Sequence, residues 1–435
     1  MLDLIPRSLP ATENHSTKAF TRERKLSLPR LITFILSVTV SGKNQGIDTK
    51  SGQLFKQARR TGLWPEAEAV HRSAVTKARG KLPWEVLQSL FQQSVDLAYA
   101  TWPERETDHW HGLSVFAIDG SKYSLPASQE LRQVFDPESG LENSGKGHYP
   151  QCLVSTVYDV FRRLPVARTV VAIADGDERQ QAQAMLAQIP SGGVLLHDRG
   201  YPSFAYIDEL NQRYDGYYVF RCPAQSTFPA VERFVNNRQD EALIWIDPSN
   251  AFLDKKPKHA RSGIRPIRLR AIRLESPDGT VSVLLTNLFD RHTFACTEIV
   301  ALYFRRWAVE DHYRTEKIYL GVDTFHSKTA NGVRQELFAV LIMSVITRIL
   351  MVLSAPPTPS VEPQFKHAIM TLASDAALLA PEQPDIAVEI FQEVLTEIAR
   401  VKYYQPKNPR PPRPRVSLRP INKWQQAKTR KLNSA

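Results

Sequence analysis

The sequence predicts an α/β protein in which helices flank a mixed β-sheet, an antiparallel β insertion interrupts that sheet, and helical regions lie at both ends. Two observations carry this prediction. Apolar, β-branched runs alternate with helical periods between residues 111 and 222, whereas residues 223–290 show strand-like runs with little helical periodicity. The 435 residues also exceed a single ordinary core, so more than one domain is expected.

Residues 1–110 form the first predicted unit, a helical region that contacts DNA. An apolar helix follows Pro29, and further short helices are broken at Pro65 and Pro83. One of these helices carries hydroxyl and basic side chains suited to a DNA backbone, namely Ser73, Thr76, Lys77, Arg79 and Lys81. A simple helical cap on the next domain fits the same pattern.

The first part of the sheet is predicted within residues 111–222. The segment 114–119 (SVFAID) is a strand that ends at Asp119, and Gly120 then makes a turn. Residues 151–160 and 164–173 form a hairpin, and residues 177–189 form a helix. Residues 194–201 give a short buried strand that ends in Asp198. A helix over 203–214 and a strand in GYYVFRC complete this part.

Three further units follow. Residues 223–290 are the predicted antiparallel insertion, with a helix only around Val231. Residues 291–355 return to the sheet domain with a helix from about Phe294 to Leu353, and residues 356–435 form a C-terminal helical region with a proline- and arginine-rich tail. The apolar run 337–353 contains Arg348, which favours a helix buried against the sheet over a membrane span.

Charge and cysteine content restrict the class of protein. The net charge is +11, and residues 401–435 contain ten Lys or Arg and no Asp or Glu. Basic ends around a nearly neutral middle indicate contact with nucleic acid, although a solvated tail shows the same bias. The three cysteines have no zinc-site spacing. We expect a cytoplasmic protein that does not associate with a membrane.

The most informative stretch is YFRRWAVEDHYRTEK, residues 303–317. On a helix at about 100° per residue, four of its side chains share an arc of about 60°, with Trp307 and Arg314 just beside it. These four are Tyr303, Arg306, Glu310 and Lys317. An acid among cations and aromatics suits a phosphodiester and a divalent ion. An ordinary surface helix with ion pairs would also have this spacing.

Two aspartates could complete a metal site with Glu310. Asp119 and Asp198 both follow apolar strands, at positions where a sheet can present a carboxylate to a cleft. Three carboxylates form a common ligand set for Mg²⁺. Each aspartate alone could instead be a turn residue. Four other aspartates compete for these positions, namely Asp159, Asp175, Asp177 and Asp311. Asp175 and Asp177 precede a helix and look like caps, and Asp311 lies off the helix face that carries Glu310.

These motifs together resemble those of the DDE transposases of the insertion-sequence-four group. The family signature Y-x2-R-x3-E-x6-K corresponds to Tyr303, Arg306, Glu310 and Lys317, with the usual tryptophan after the arginine. IDG around Asp119 and DRGY around Asp198 match the first two catalytic aspartates. KLSLPRLITFIL, TNLF, FHSK and QELFAVLI extend the resemblance over nearly the whole chain.

The resemblance implies an RNase H-like catalytic core and a cut-and-paste reaction. Asp119, Asp198 and Glu310 would hold two Mg²⁺ ions, for which Mn²⁺ could substitute, and Tyr303, Arg306 and Lys317 would bind phosphates of the transposon end. The partners would be the terminal inverted repeats, target DNA and a second copy of the chain. Some relatives use a tryptophan in the insertion to hold a flipped base, but the surroundings of Trp245 give no match, and its role stays open.

Two other functions remain compatible with the residues. One is a DNA-binding regulator derived from a transposase that has lost its chemistry, and the other is an RNase H-type nuclease. The intact acids argue against the regulator, and the Tyr–Arg–Lys face argues against the nuclease, which would not need it.

Overall fold

The computed structural model describes residues 25–40, 45–139, 149–257, 261, 263–276, 279–322, 324–354 and 361–404. The predicted basic tail and the first 24 residues lie outside these ranges. The helices are α1 (Leu28–Val40), α2 (Ile47–Arg60), α3 (Arg72–Lys81), α4 (Trp84–Thr101), α5 (Gln129–Phe135), α6 (Glu178–Met185), α7 (Phe204–Arg213), α8 (Pro229–Asn236), α9 (Asn250–Asp254), α10 (Cys296–Phe304), α11 (Trp307–Arg314), α12 (Ala330–Ser354), α13 (Phe365–Ser374) and α14 (Pro384–Arg400).

Eight strands form one sheet in the order β3-β2-β1-β4-β5-β8-β7-β6. They are β1 (Val115–Ser124), β2 (Gln151–Asp159), β3 (Leu164–Ala172), β4 (Val194–His197), β5 (Tyr217–Pro223), β6 (Glu241–Ile246), β7 (Ile267–Glu275) and β8 (Val281–Thr286). A separate pair joins β9 (Val361–Pro363) to β10 (Lys402–Tyr404). The first three strands are antiparallel, and β1, β4 and β5 run parallel. This is the sheet expected of an RNase H-like core.

The predicted antiparallel insertion extends the same sheet. Strands β8, β7 and β6 pair antiparallel beyond β5. The predicted helix around Val231 is α8, whereas the short helix α9 was not predicted. Ser249 starts α9 by accepting a hydrogen bond from the backbone N–H of Phe252. Such a short helix has too few residues to show a helical period in the sequence.

The long apolar helix α12 forms the centre of the helical layer. It packs against α4, α1 and β3, and most of its residues are buried. By length and composition it could cross a membrane, but 78% of its most apolar window is buried inside the protein. The predicted burial is confirmed, although helices rather than the sheet supply most of the packing.

Two predictions about local structure are wrong. The strand that carries Asp119 does not end there, because Gly120 pairs with Ser155 and β1 continues to Ser124. The helix predicted from Phe294 to Leu353 is broken twice. Tight i→i+3 hydrogen bonds from the N–H groups of Arg305 and Arg306 separate α10 from α11. A π-helical segment, Thr315–Leu320, then follows α11 and ends at Gly321, whose φ of 67° is left-handed.

The basic face predicted on α3 is also different. Arg79 is buried and donates hydrogen bonds to the Glu336 carboxylate at 2.8 Å, the Gln335 side chain at 3.1 Å and the Gly332 carbonyl at 3.0 Å. Its charge therefore joins α3 to α12 and is not available to a DNA backbone. A buried arginine needs such partners, and the sequence of α3 alone does not show them.

Candidate active site

The two aspartates lie side by side because of the strand order. Strands β1 and β4 are parallel neighbours, and Ile118 pairs with His197. Asp119 is the next residue of β1, and Asp198 is the first residue after β4. Beyond this pair β4 has ended, so Asp198 follows the strand and Asp119 lies in β1 where that edge is no longer covered by β4. The predicted meeting of the two acids at one place on the sheet therefore follows directly from the register.

Helix α11 brings the third acid to the same place. The Tyr313 hydroxyl donates hydrogen bonds to the backbone carbonyls of Asp119 at 2.8 Å and Val154 at 3.1 Å, which fixes α11 against β1 and β2. Glu310 lies one turn earlier on this helix. The role of Tyr313 was not predicted. Its signal in the sequence is only that it lies three residues after Glu310, on the same side of the helix.

The three acids surround the guanidinium of Arg306. Its Nη2 donates a hydrogen bond to Glu310 Oε1 at 2.7 Å and lies 3.9 Å from Asp198 Oδ2, while Nη1 lies 3.9 Å from Asp119 Oδ2. The side chain is only 5% exposed, and its Nε and Nη1 have no hydrogen-bond partner within the described part of the chain. Carboxylates from three distant segments thus meet around one internal cation.

Burial and charge shift the pKa values of this group. Burial raises the pKa of Asp119 to about 7, although Arg306 works in the opposite direction. Burial also disfavours the charge on Arg306, but Asp198, Tyr303 and Glu310 outweigh it and raise the Arg306 pKa. Arg306 therefore stays charged, and it partly balances a group of acids that would otherwise repel one another.

Tyr303 lies on the Asp198 side of this cluster. Its hydroxyl donates a hydrogen bond to Asp198 Oδ1 at 3.4 Å. Burial, together with the charge of Asp198, raises the Tyr303 pKa to about 12, even though Arg306 lowers it. The hydroxyl therefore remains protonated at neutral pH and can donate a hydrogen bond to a phosphate oxygen.

Lys317, in the π-helical segment, contacts β1 beyond Asp119. Its ammonium donates hydrogen bonds to Ser121 Oγ and the Lys122 carbonyl, both at 2.7 Å, and lies 4.5 Å from the centre of the Tyr123 ring. Ser121 is two residues beyond Asp119, on the same face of the strand. The structure therefore places Lys317 beside the acid cluster and not within it.

The remaining two predicted DNA contacts differ from each other. Trp307 is 52% exposed, with the Arg306 guanidinium 5.6 Å from its ring centre, so it flanks the cluster. Arg314 instead pairs with Asp311 at 2.8 Å, and both side chains are exposed. Arg314 is a surface ion pair in this structure, as an ordinary helix face would have it.

A buried polar network supports the π-helical segment and was not predicted. The Glu316 carboxylate accepts hydrogen bonds from Arg168 at 2.9 and 3.0 Å, and also from the Tyr123 hydroxyl. His312 lies 3.2 Å from the same carboxylate. Glu316 and Arg168 are fully buried, so this network fixes the residue next to Lys317. The sequence shows only an acid before a lysine, which is common on surfaces.

The competing aspartates have structural roles. Asp159 accepts hydrogen bonds from the backbone N–H groups of Phe161 and Arg162 in the β2–β3 turn, and from Tyr99. Asp177 caps α6 by accepting a hydrogen bond from the N–H of Arg179. These contacts agree with their exclusion from the predicted site.

The acid cluster has the donor chemistry for a divalent ion. Carboxylate oxygens are the ligands that Mg²⁺ and Mn²⁺ prefer. Among the described residues, however, no group of three or more His, Cys, Asp or Glu side chains stands ready to hold an ion. We attribute this to the Arg306 guanidinium, which lies between the acids. The residues fit a divalent ion in kind, and the ion would have to displace this cation.

Comparison with known proteins gives the family. Residues 110–346 match the transposase DDE domain. A putative transposase of Escherichia coli, InsZ, is 31% identical over 50% of this chain and 72% of its own length. The transposase InsG for insertion sequence element IS4, also from Escherichia coli, is 24% identical over 64% of this chain and 61% of its own length.

A putative transposase of Sinorhizobium fredii, y4zB, is 27% identical over 44% of this chain and 51% of its own length. Among solved structures, a piggyBac transposase synaptic complex with hairpin DNA aligns with a TM-score of 0.43 and 8% identity, over 90% of this chain and 80% of that chain. The match to the transposase DDE domain covers more than half of the sequence and confirms the predicted family. The chain belongs to the transposase DDE domain family and is a DDE transposase.

Proposed function

We propose that this transposase cuts DNA at the ends of its insertion sequence and joins the freed 3′ end to target DNA. The observation that carries the proposal is the meeting of Asp119, Asp198 and Glu310 around Arg306. Long tracts of chain separate these three carboxylates, and packing of a hydrophobic core gives no reason to gather them. A site for a cation and a phosphodiester gives one.

Members of this family generally use divalent metal ions. Here Asp119, Asp198 and Glu310 would hold two Mg²⁺ ions, with Mn²⁺ as a substitute. The ions would activate the attacking oxygen and stabilise the leaving one. Displaced from the acids, the Arg306 guanidinium would be free to bind the phosphate that is cut, which explains why an arginine is placed here.

The chain's other side chains would hold the DNA strand. The Tyr303 hydroxyl can donate a hydrogen bond to a phosphate oxygen beside Asp198, and the Lys317 ammonium can contact the strand near Ser121. Trp307 and Arg314 would contact the DNA that flanks the cut, Trp307 through its exposed ring. For Arg314 this requires the DNA to compete with Asp311.

Two phosphoryl transfers would then use the same acids. In the first, a water oxygen attacks the phosphorus, and the bond to the 3′ oxygen of the transposon end breaks to leave a 3′-OH. In the second, that 3′ oxygen attacks a target phosphorus and displaces a target 3′ oxygen. Both are in-line displacements at phosphorus, so one set of ligands serves both.

The wider organisation is part of the same proposal. Residues 1–110 would contact DNA, residues 111–222 and 291–355 would form the catalytic core, residues 223–290 the insertion, and residues 356–435 a region for end contacts. The partners would be double-stranded DNA, as terminal inverted repeats and as target, with two copies of the chain pairing the two ends. Such an enzyme would work in the cytoplasm on nucleoid DNA.

The test is cleavage of a labelled transposon end, taken from the inverted repeats that flank the gene. Asp119→Asn, Asp198→Asn and Glu310→Gln should each abolish Mg²⁺-dependent cleavage and leave binding of the end largely intact. Asp311→Asn is the matched control, because Asp311 neighbours Glu310 in sequence but pairs with Arg314. Cleavage that survives in any of the first three variants would remove that residue from the site. A wild-type protein that binds the end and never cuts it would be a regulator.

A further inference from the structure

A fourth carboxylate lies beside the cluster. Glu178 is the first residue of α6, and two contacts fix its position: Asp177 caps the helix, and Arg179 Nε donates a hydrogen bond to the Gly200 carbonyl at 3.1 Å. Gly200 is two residues beyond Asp198. The start of α6 is therefore tied to the loop that carries Asp198.

The glycine next to Asp119 makes room for this carboxylate. A Cβ atom on Gly120 would lie 2.7 Å from Glu178 Oε1 and 2.8 Å from its Cδ, so the carboxylate lies directly over the strand at this residue. Gly120 does not have a positive φ. Its backbone conformation is open to any residue, and space rather than backbone geometry therefore favours a glycine after Asp119.

Glu178 also interacts with the acids of the cluster. Burial raises its pKa and the charge of Asp198 adds to this, while a hydrogen bond with the Tyr201 hydroxyl and the charge of Lys122 work in the opposite direction. Glu178 and Glu310 in turn add to the effect of burial on Asp119. The carboxylate is half-buried and lies near the buried ring of Tyr201, which belongs to the same loop as Asp198.

The cluster lacks enough positive charge for four acids. Arg306 is the cation that lies among them. Its side chain is only 5% exposed, and its Nη1 and Nε have no hydrogen-bond partner in the described residues. A buried guanidinium normally fills its five donor positions. The excess of carboxylates indicates that the site receives additional positive charge, whereas the unfilled donors of Arg306 suit an acceptor such as a phosphate oxygen.

We infer that Glu178 is a fourth carboxylate ligand of the divalent-ion site. The inference rests on the proposed function, since it adds a ligand to the site formed by Asp119, Asp198 and Glu310. Carboxylate oxygens are the protein ligands that Mg²⁺ prefers, and a fourth carboxylate would let the two ions share fewer of them. Glu178 would supply this additional donor from the opposite side of β1, over Gly120. The competing explanation is that Glu178 only stabilises the first turn of α6.

The experiment measures Mn²⁺ binding to the full chain without DNA, from the electron paramagnetic resonance signal of free Mn²⁺. Glu178→Gln should weaken binding at least tenfold, the size typical for loss of even an outer-shell partner. Asp175→Asn is the matched control, an exposed acid three residues earlier, and should bind like the wild type. Thermal unfolding should show that both variants are folded, because Glu178 lies at a helix start where glutamine is tolerated.

Gly120→Ala provides a second, independent test. The added methyl group takes the space of the Glu178 carboxylate and should weaken Mn²⁺ binding in the same direction. In the double variant with Glu178→Gln, binding should be no weaker than in Glu178→Gln alone, since both changes remove one ligand.

Asp119→Asn distinguishes a failure of the Glu178 inference from a failure of the proposed metal site. If Asp119→Asn loses Mn²⁺ binding and Glu178→Gln binds like the wild type, Glu178 is a helix-start residue and the inference is overturned, while the proposed function stands. If Asp119→Asn also binds Mn²⁺ like the wild type, the proposed metal site itself is wrong.

Discussion

Replacing Arg306 by glutamine should strengthen the binding of Mn²⁺ in the absence of DNA. The guanidinium lies within 3.9 Å of all three acids, in the region that a metal ion would share. An ion must therefore compete with an internal cation. Glutamine keeps a polar side chain, although a shorter one, and removes the positive charge.

The distances set the size of the effect. Two unit charges about 4 Å apart interact by roughly 1 kcal/mol in water and roughly 4 kcal/mol at the effective dielectric constant of a protein surface. The acids are partly exposed, so we use the lower value, which gives about 3 kcal/mol for three carboxylates. The displaced guanidinium regains part of this by contact with water. We expect Mn²⁺ to bind about tenfold more tightly, which corresponds to about 1.4 kcal/mol.

The assay is a Mn²⁺ titration of the free protein, and the control is Arg314→Gln, whose charge lies in an exposed pair with Asp311. The same Arg306 variant should bind the transposon end more weakly, with a flatter salt dependence, because it has lost a phosphate contact. Opposite changes in the affinities for metal and for DNA identify competition. Mn²⁺ affinity that stays the same or falls in Arg306→Gln would refute the reasoning.

Three further outcomes are expected. Lys317→Ala should lower the salt slope of end binding by about one, as measured by titration over a range of salt concentrations. Glu316→Gln should destabilise the fold at pH 7 by about 3–5 kcal/mol, because it leaves Arg168 buried and unpaired. Burial alone would raise the Glu316 pKa, but Arg168 outweighs it and lowers this pKa to about 2. The stabilisation is therefore present above pH 4.5 and is lost as the pH falls towards 2. Urea unfolding should show a smaller difference in unfolding free energy between variant and wild type at pH 3 than at pH 7. Trp307→Ala should weaken end binding and leave the unfolding free energy within about 0.5 kcal/mol, since the ring is half-exposed.

Much of the sheet could be predicted because its signals are local. The hairpin of β2 and β3, the short strand before Asp198 and the helix α7 all lie where apolar periodicity and turn residues indicate them. Asp119 shows the limit of such signals. An Asp-Gly pair usually marks a turn, but here the glycine pairs with Ser155 and accommodates Glu178 from another element. Only the packing of α6 against β1 reveals this.

The buried arginines show a second limit. The sequence predicts that Arg79 and Arg306 contact DNA, but both are buried beside acids distant in the chain, as is Arg168. The sequence gives the residue type of a buried charge, but the tertiary fold determines its partner. A sequence can therefore predict that an arginine such as Arg306 takes part in a site without indicating that it lies among the acids.

The helix wheel that predicted the site differs from the structure in where it places Lys317. The wheel places Glu310 and Lys317 about 20° apart on one continuous helix, so that both would address one point. In the structure Glu310 contacts Arg306, whereas Lys317 contacts Ser121 and Lys122, further along β1. The π-helical segment causes this separation, because its wider turn no longer advances 100° per residue. The buried pair of Glu316 and Arg168 holds that wider turn in place and so determines where Lys317 contacts β1. A helix wheel does not include a partner such as Arg168, which lies on another element.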